Sequence, residues 1–592
     1  MLLRAGTLTH KLLATISFAS FILLIVSAIS MPRIGVAPPD PLFPFKIMPI
    51  EYWLGFSTAI AACIMNIVFY KSGRTGSFAW LSLLSLTTFI HVIPKLMFSN
   101  LVWTDTYTFV GEVLYALRYG RIGYGSAVDT PALSLFTSQL SLVTGIDHVA
   151  LAELIPFALP FFMVVFMYAF TRLFCGERAS YFAVMVFLSL DYQGFYFNRQ
   201  SFALVLHFLT LYLVVILFIH TKRTYAVLML ILFSTLVMSH PGSSAAVVLT
   251  VITLIIMLAL LKALGLFKRG GANGVQNDVR RIFNRPILPS ILTVASTSSV
   301  IWFAWYIYHF GSLSMVIKQT IISMNEFFSA PYPEEHITAT VTLYTEAYMP
   351  IVLLRFYELV AALVIGTVLS ILACAATKLE GKYLMLASMF FSVASILVYV
   401  TYAHRWTGNP FPYSFPALTT LVSWFIFDFK LRKGSLSKYF TSLLKASLLM
   451  MIVAFTALMP LLMYSHMAFV YPPDSNLVML NFLARNGHGS SLVIGGHMDV
   501  DYVMFVHNAN MLVSRDYSVE VNITSGGWFS FSNSEYNIVA TAYRVYVKDD
   551  FEKYDPPLTE RLAVLENRLS DNPLYVKVYQ ADYMYKVYSK NW

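Results

Sequence analysis

Long apolar segments recur along most of this chain and constrain its fold more than any other feature. A helix needs about 20 apolar residues to cross the hydrocarbon core of a bilayer. Charged residues make up only 12% of the sequence, against roughly 25% in an ordinary soluble domain. The segments that meet or approach the length criterion are 12–30, 50–70, 77–97, 149–171, 179–191, 200–220, 224–239, 243–266, 287–310, 349–376, 383–403, 415–429 and 446–470.

The sequence therefore predicts an all-α polytopic membrane domain of about thirteen helices over residues 1–470, with residues 1–76 as an N-terminal helical hairpin. The first segment has no small-residue cleavage site and is followed by Pro32 and Arg33. We interpret it as a retained helix, with a signal peptide as the alternative. Three segments are short enough that the count could differ by one pair, namely 179–191, 224–239 and 415–429.

The distribution of Lys and Arg predicts the orientation. Cytoplasmic loops of membrane proteins carry an excess of these residues. With the N-terminus in the cytoplasm, the inner segments hold 21 of the 40 Lys and Arg residues, the outer segments before residue 471 hold nine, and the C-terminal tail holds ten. The net charge of +9 thus follows from topology, and the two most basic loops suit anionic lipid rather than nucleic acid. We expect a multi-pass plasma-membrane protein with a cytoplasmic N-terminus.

Residues 471–592 form a different kind of segment, which an odd number of spans places outside the cell. DSNLVMLNFLAR suits a helix, SLVIGG and YNIVATAYRVYV suit strands, and TERLAVLENRL suits a second helix. LYVKVYQ and YMYKVYS alternate as a closing hairpin. The tail is predicted to be a small extracellular α/β domain.

Acidic residues and long loops collect on the predicted outer side. The two long outer loops span 98–148 and 311–348, and loops of this length are usually functional or disordered. In the first loop, FVGEVLYALRYG and PALSLFTSQLSLVTG have helical spacing and end on Gly120 and Gly145. Both are candidates for short amphipathic helices in the membrane interface. Asp105 precedes the first of them, at the predicted mouth of a membrane cavity.

This arrangement resembles the first outer loop of the membrane-embedded GT-C glycosyltransferases. The shared pattern is an aspartate after a membrane helix, a short helix ending in Gly, a small-residue stretch with Pro, and a second helix ending in TG. FYFNRQSFALVLHFLTLYLVVILFI and LVMSHPGSSAAVV are similar to segments of archaeal members. The resemblance covers roughly residues 75–350 and rests on layout and loose motifs. It implies transfer of a sugar from a polyprenyl-phosphate-linked donor to a glycan or protein acceptor at the cell envelope.

The resemblance assigns Asp105 as the general base or a metal ligand, and Asp191 as a ligand of the metal or the donor phosphate. A divalent cation (Mg or Mn) is therefore a candidate cofactor, although neither loop has a paired D-x-D or E-x-D. Arginine side chains can stabilise a departing phosphate by bidentate contacts. The candidate phosphate- and substrate-binding residues on the outer face are Arg199, His240, Arg355 and Arg405.

Each of these residues also has a purely structural interpretation. Asp105 could cap the helix that follows it, and Asp191 could pair only with Arg199 across a short turn. His240 could be a satisfied imidazole in a His-Pro-Gly turn, and Arg405 could support the interface among aromatic residues. The alternative function is a non-catalytic transporter or scaffold with a glycosyltransferase-like frame. A transporter would place ionisable groups near mid-membrane, where Glu358 is the main example in this chain.

Overall fold

The computed structural model describes residues 2–465 except 35–39, 41, 71–73, 99–100, 103–104, 123–125, 192–193, 221, 264–286, 309–348, 377–380, 403–410 and 430–434; beyond residue 465 it describes five strands. The α-helices are α1 Leu2–Ser30, α2 Phe43–Ile47, α3 Ile50–Val68, α4 Arg74–His91, α5 Asp105–Tyr119, α6 Ser126–Asp129, α7 Ala132–Thr144, α8 His148–Arg172, α9 Glu177–Leu188, α10 Arg199–His220, α11 Arg223–Val237, α12 Pro241–Ala263, α13 Ile287–Tyr308, α14 Met349–Ala376, α15 Gly381–Tyr402, α16 Phe415–Phe427 and α17 Ser435–Tyr464. Short 3-10 helices cover Ile93–Met97 and Phe411–Ser414.

Every segment predicted to cross the membrane coincides with a helix. Eight helical segments in the described part of the chain are long and apolar enough to do so: Lys11–Ser30, Ile50–Val68, Gly76–Met97, His148–Arg172, Arg199–Leu217, Pro241–Leu260, Leu353–Ala376 and Tyr439–Tyr464. The other predicted spans correspond to α9, α11, α13, α15 and α16. The chain is thus a multi-pass membrane protein, and the described residues up to 465 are built almost entirely of helices.

A polar node joins the N-terminal hairpin to the rest of the bundle. The Asn66 Nδ2 amide of α3 donates to Ser17 Oγ of α1 at 3.0 Å and to Ser82 Oγ of α4 at 2.9 Å. All three side chains are fully buried. In a bilayer no hydrophobic effect drives helices together, so their association depends on packing and on hydrogen bonds such as these. The node therefore fixes the register of α1 and α3 against α4.

The short helices α5, α6 and α7 lie together at one end of the bundle, which we call the α5–α7 end. α5 ends before Gly120 and α7 before Gly145, and both glycines have positive φ (64° and 70°), as the predicted stop signals require. The backbone N–H of Ala132 donates to the Met238 carbonyl at 3.2 Å, and the Trp305 indole donates to the Asp129 carbonyl at 2.9 Å. These bonds connect α7 to the end of α11 and α6 to the end of α13.

The described strands of the tail form one sheet in the order β2-β1-β3-β5-β4. The strands are β1 Ser490–Ile494, β2 Met511–Ser514, β3 Ser534–Ala540, β4 Tyr575–Ala581 and β5 Tyr585–Lys590. β1 pairs in parallel with β2 and β3, whereas β5 pairs antiparallel with β3 and β4. The predicted strands at 491–496 and 536–547 and the closing hairpin all contribute to this sheet, and β2 is an addition. The two predicted tail helices lie outside the described residues.

Glu358 of α14 occupies the apolar interior of the bundle. It is 1% exposed, and neither carboxylate oxygen has a hydrogen-bond partner among the described residues. It lines a cavity of about 30 Å³ between α9, α14, α16 and α17, which has room for about two water molecules. The cavity wall is otherwise almost entirely apolar. An ionisable group in such a place is costly for the fold.

We therefore expect Glu358→Met to stabilise the protein. A methionine of similar length removes the buried carboxyl, whose burial without a hydrogen bond costs about 1–3 kcal/mol. The melting temperature in detergent should rise for Glu358→Met and stay unchanged for Glu153→Met, because Glu153 on α8 is exposed. A lower melting temperature for Glu358→Met would show that the carboxyl stabilises the bundle.

Candidate functional site

The segment 191–199 joins α9 to α10 and carries polar side chains into the α5–α7 end. Asp191 and Tyr196 are buried, and Arg199 is the first residue of α10. Phe197 packs in a small apolar cluster with Tyr107 and Val110 of α5. That cluster anchors the segment beneath α5 and α7. The polar groups of 191–199 are thus held between the short helices and the membrane helices.

Asp191 lies beside two basic side chains from the end of the third predicted span. Its Oδ2 atom is 3.7 Å from His91 Nε2, and Lys95 lies within electrostatic range. The backbone N–H of Gly194 donates to the Asp191 carboxylate. Oδ2 itself has no hydrogen-bond partner among the described residues. A buried carboxylate oxygen without a hydrogen-bond partner among the described residues, beside two basic side chains, is a candidate contact for a polar ligand.

Lys95 is buried, and its side-chain nitrogen contacts both the 191–199 segment and α8. The nitrogen donates to the Phe195 carbonyl and, at 3.4 Å, to the Pro156 carbonyl. It also lies 5.4 Å from the Tyr196 ring centroid and 5.8 Å from that of Phe157, within the range of a cation–π contact. The Lys95 side chain is therefore held next to Asp191 by the backbone of the 191–199 segment.

Gly194 shapes the turn that brings Asp191 and Lys95 together. Its φ of +69° lies in the left-handed region, where a side chain costs about 1–2 kcal/mol. A Cβ at this position would also lie 3.2 Å from Met463 Sδ and 3.4 Å from the Tyr196 hydroxyl. The turn thus requires glycine for both its backbone conformation and its packing.

Gly194→Ala should therefore destabilise the protein more than Gly145→Ala. The two glycines have nearly equal φ, but a Cβ at Gly145 would meet nothing within 4 Å. Gly145→Ala consequently measures the backbone cost alone. Thermal unfolding of both variants checks the prediction. Equal losses of melting temperature would contradict a packing role of Gly194.

Arg199 and Glu112 form a buried ion pair between α10 and α5. The Arg199 Nη2 atom donates to Glu112 Oε1, and Ser134 Oγ of α7 donates to Glu112 Oε2 at 2.9 Å. The two charged side chains are 11% and 7% exposed. The guanidinium also lies 4.8 Å from the Phe109 ring centroid. The pair connects three helices at the α5–α7 end.

This pairing corrects one sequence-based interpretation. Asp191 was a candidate to pair with Arg199 across a short turn, but the structure pairs Arg199 with Glu112 and places Asp191 beside His91. Glu112, His91 and Lys95 were not among the predicted site residues. The sequence did contain a signal for them, because each is an ionisable residue inside an otherwise apolar stretch.

His240 lies between α11 and α12, close to Arg199. Burial, together with the nearby guanidinium of Arg199, lowers the pKa of His240 below its usual value. Its Nδ1 atom is 3.3 Å from the Ser243 backbone nitrogen and 3.4 Å from the Tyr413 hydroxyl. One ring nitrogen is thus satisfied by the protein, as the turn interpretation expects.

The remaining predicted site residues are Arg355, Asp105 and Arg405. Arg355 of α14 donates to the Leu462 carbonyl, and Arg355 and Asp191 both lie within electrostatic range of Tyr196. α5 begins at Asp105, but the Asp105 side chain lies outside the described residues, as does Arg405. The second long loop, 311–348, lies outside them as well.

The described neighbours of the Asp191 carboxylate are the basic side chains His91 and Lys95. In the part of the chain that the structure describes, no three His, Cys, Asp or Glu side chains come together in a way that could hold a metal ion. A Mg or Mn site that uses Asp105 and Asp191 stays a prediction.

Comparison with known proteins gives matches only among solved structures. No family model matches the chain, and no curated protein matches it. The chain is similar to ArnT from Cupriavidus metallidurans in the apo state, with a TM-score of 0.43 and 10% identity over 83% of this chain and 94% of that chain. For ArnT from Cupriavidus metallidurans bound to undecaprenyl phosphate, the TM-score is 0.47 and the identity 11%, over 87% of this chain and 98% of that chain. Both scores are low, so we base the functional proposal on the residues and contacts of this chain.

Proposed function

We propose that this chain is an integral membrane glycosyltransferase that moves a sugar from a polyprenyl-phosphate-linked donor to an acceptor on the extracytoplasmic face. The reaction would take place at the α5–α7 end, where buried ionisable side chains converge around segment 191–199. The acceptor would be a glycan or a protein of the cell envelope. The non-catalytic alternative, a transporter or scaffold, has Glu358 as its main support.

The observation that carries the proposal is the state of Arg199. Its guanidinium is almost fully buried and its charge is balanced by Glu112, yet its Nε–H has no hydrogen-bond partner among the described residues. A guanidinium has five N–H donors in a fixed fork that matches phosphate oxygens. A desolvated arginine with a donor to spare, at the end of a membrane bundle, suits the phosphate of a lipid-linked donor.

The chemistry requires one base and one stabilised leaving group. The acceptor hydroxyl oxygen forms a bond to the anomeric carbon while the bond from that carbon to the phosphate oxygen breaks. We assign Asp105 to take the hydroxyl proton, and Arg199 and His240 to stabilise the departing phosphate. A single displacement of this kind inverts the configuration of the sugar.

Asp191 and Lys95 would bind the donor next to this phosphate. The Oδ2 atom of Asp191, which has no hydrogen-bond partner among the described residues, can accept from a sugar hydroxyl, and Lys95 lies within electrostatic range of this carboxyl. Arg355 of α14 lies within electrostatic range of Tyr196. Arg405 would add a further positive charge to the phosphate-binding site. A Mg or Mn ion held by Asp105 and Asp191 would act on the same phosphate.

The topology completes the proposal. With thirteen spans and a cytoplasmic N-terminus, the α5–α7 end and the 471–592 tail would lie outside the cell. The membrane would be the plasma membrane of an archaeon. The charge distribution of the loops supports this orientation. The five-stranded sheet supports a separate α/β tail domain, which would position an acceptor or bind a partner chain.

Phosphate recognition can be tested by ligand-dependent thermal stability. Polyprenyl phosphate should raise the melting temperature of the full chain in detergent, and polyprenol of the same length, which lacks the phosphate, should not. A ligand at about 100 times its Kd stabilises the native state by about 2.7 kcal/mol. Arg199→Met should lose the difference between the two lipids, and Arg118→Met, which alters an exposed arginine of α5, should keep it. Equal shifts by both lipids in the unmodified chain would contradict the proposed donor.

A further inference from the structure

His240 has its ring clamped by residues of α12 and of the 3-10 helix Phe411–Ser414. A neutral imidazole has one N–H donor and one bare nitrogen acceptor, and which nitrogen carries the proton depends on its partners. The partners of His240 are unusually informative, because one of them is a main-chain group whose direction cannot be reversed.

The Nδ1 atom of His240 faces three hydrogen-bonding groups. The backbone N–H of Ser243 donates to it at 3.3 Å, and Ser243 Oγ and Tyr413 Oη lie at 3.2 and 3.4 Å. The two hydroxyls can either donate or accept, but a backbone N–H can only donate. The Nδ1 atom is therefore the bare acceptor nitrogen, and the proton lies on Nε2.

The ring has little freedom to turn away from this arrangement. Ser243 Oγ donates to Tyr413 Oη at 2.9 Å, which leaves the tyrosine O–H free to donate to Nδ1. A Cβ added to Gly242 would lie 3.2 Å from His240 Cε1 and 3.5 Å from Nδ1. The absence of a side chain at Gly242 thus allows the backbone of α12 to approach the ring face closely.

The same serine sets the opposite proton position on a second histidine. His207 of α10 has its Nδ1 atom 2.9 Å from the Ser243 carbonyl oxygen. A carbonyl can only accept, so the His207 proton lies on Nδ1. The main chain of one residue thus distinguishes two histidines: its N–H faces a bare nitrogen in His240, and its carbonyl faces an N–H in His207.

The charge around His240 agrees with a neutral ring. Arg199, the first residue of α10, lies within electrostatic range and disfavours a second positive charge. The described groups next to Nδ1 are uncharged, namely Ser243, Gly242 and Tyr413. In a neutral ring whose Nδ1 atom already accepts a hydrogen bond, the remaining hydrogen-bonding group is the Nε2–H donor.

We infer that His240 is held as the Nε2–H tautomer and acts as a neutral hydrogen-bond donor to an anionic oxygen, with Ser243, Tyr413 and Gly242 as positioning residues. The inference rests on the transferase proposed above, in which the oxygen belongs to the phosphate of the lipid-linked donor. His240 is then excluded as the base that deprotonates the acceptor, because its bare nitrogen faces Ser243.

Nitrogen NMR on the full chain tests the tautomer without any activity assay. The protein, labelled with ¹⁵N only in histidine and reconstituted in nanodiscs, is compared with His240→Gln and His207→Gln. Each difference spectrum gives the signals of one ring. We expect His240 to show a protonated Nε2 and a bare Nδ1, and His207 to show a protonated Nδ1. A protonated Nδ1 on His240 would overturn the inference even if the protein transfers sugar.

A pair of amide substitutions tests the role of the donor. The side-chain amide nitrogen of glutamine reaches the position of Nε2, whereas that of asparagine reaches the position of Nδ1. His240→Gln should therefore keep transfer within about threefold of the unmodified enzyme, and His240→Asn should lose about tenfold, the loss expected for one hydrogen bond to a charged group. Comparable melting temperatures show that both variants fold. Equal losses in the two variants would contradict donation from Nε2.

The two experiments separate this inference from the proposed function. If no polyprenyl-phosphate sugar is a substrate, the transferase proposal fails, and the NMR result still decides the tautomer. If transfer occurs but His240 carries its proton on Nδ1, the transferase stands and the assigned role of His240 falls.

Discussion

Replacing Glu112 by alanine should destabilise the protein by about 3–5 kcal/mol, the cost of leaving a buried charge without its partner. Arg199 would keep its guanidinium almost buried beneath α5, with the Phe109 ring as its remaining close contact. Ser134 would lose its acceptor at the same time. The α5–α7 end would then separate from α10, and thermal unfolding in detergent should show a large drop in melting temperature.

A double-mutant cycle distinguishes loss of the Arg199–Glu112 ion pair from a general loss of stability. Glu112→Met alone should lose stability for the same reason as Glu112→Ala, and Arg199→Met together with Glu112→Met should restore much of that loss, because an apolar replacement of a buried pair is often neutral. Glu153→Ala serves as the control, since this glutamate of α8 is exposed. Additive losses in the cycle would show that the two side chains do not depend on each other.

Asp105→Asn should lower the rate of sugar transfer by about 10²–10⁴, the range that a positioned general base contributes. The substitution separates catalysis from helix capping, because asparagine caps a helix as well as aspartate does. A role as the first residue of α5 would therefore survive the change, and the melting temperature should stay the same. Transfer is measured with radiolabelled polyprenyl-phosphate sugars under single-turnover conditions.

Asp147→Asn provides the matched control for Asp105→Asn. Asp147 caps α8 by accepting from the backbone N–H groups of Val149 and Ala150 at 2.9 and 3.4 Å, and it is exposed. This change should affect neither stability nor transfer. Unchanged transfer by Asp105→Asn, combined with lost stability in Asp105→Ala, would leave capping as the only role of that aspartate.

The arrangement of the helices could be predicted from the sequence because it depends on local properties. The length of an apolar segment decides whether a helix can span a bilayer, and eight of the predicted segments contain described helices that are long and apolar enough to do so. The ends of α5 and α7 followed from Gly120 and Gly145, whose positive φ stops a helix wherever it occurs. Neither inference required knowledge of a distant residue.

The partners within the site could not be predicted, since they depend on contacts between distant parts of the chain. Arg199 pairs with Glu112, 87 residues earlier, rather than with the nearby Asp191. The Gly194 turn sends Asp191 toward the end of α4, where His91 lies. A turn of this kind is invisible in composition and hydropathy, because it is fixed by one positive φ and by packing against Met463.

The most direct measurement of the central claim is sugar transfer by the purified chain reconstituted in nanodiscs. The protein would receive a panel of radiolabelled polyprenyl-phosphate sugars with envelope glycans or glycoproteins as acceptors. The proposal predicts that at least one donor yields a labelled acceptor of inverted anomeric configuration and free polyprenyl phosphate in equal amounts. Release of no polyprenyl phosphate from any donor, while that lipid still binds in an Arg199-dependent way, would identify the chain as a non-catalytic lipid-phosphate binder and contradict the claim.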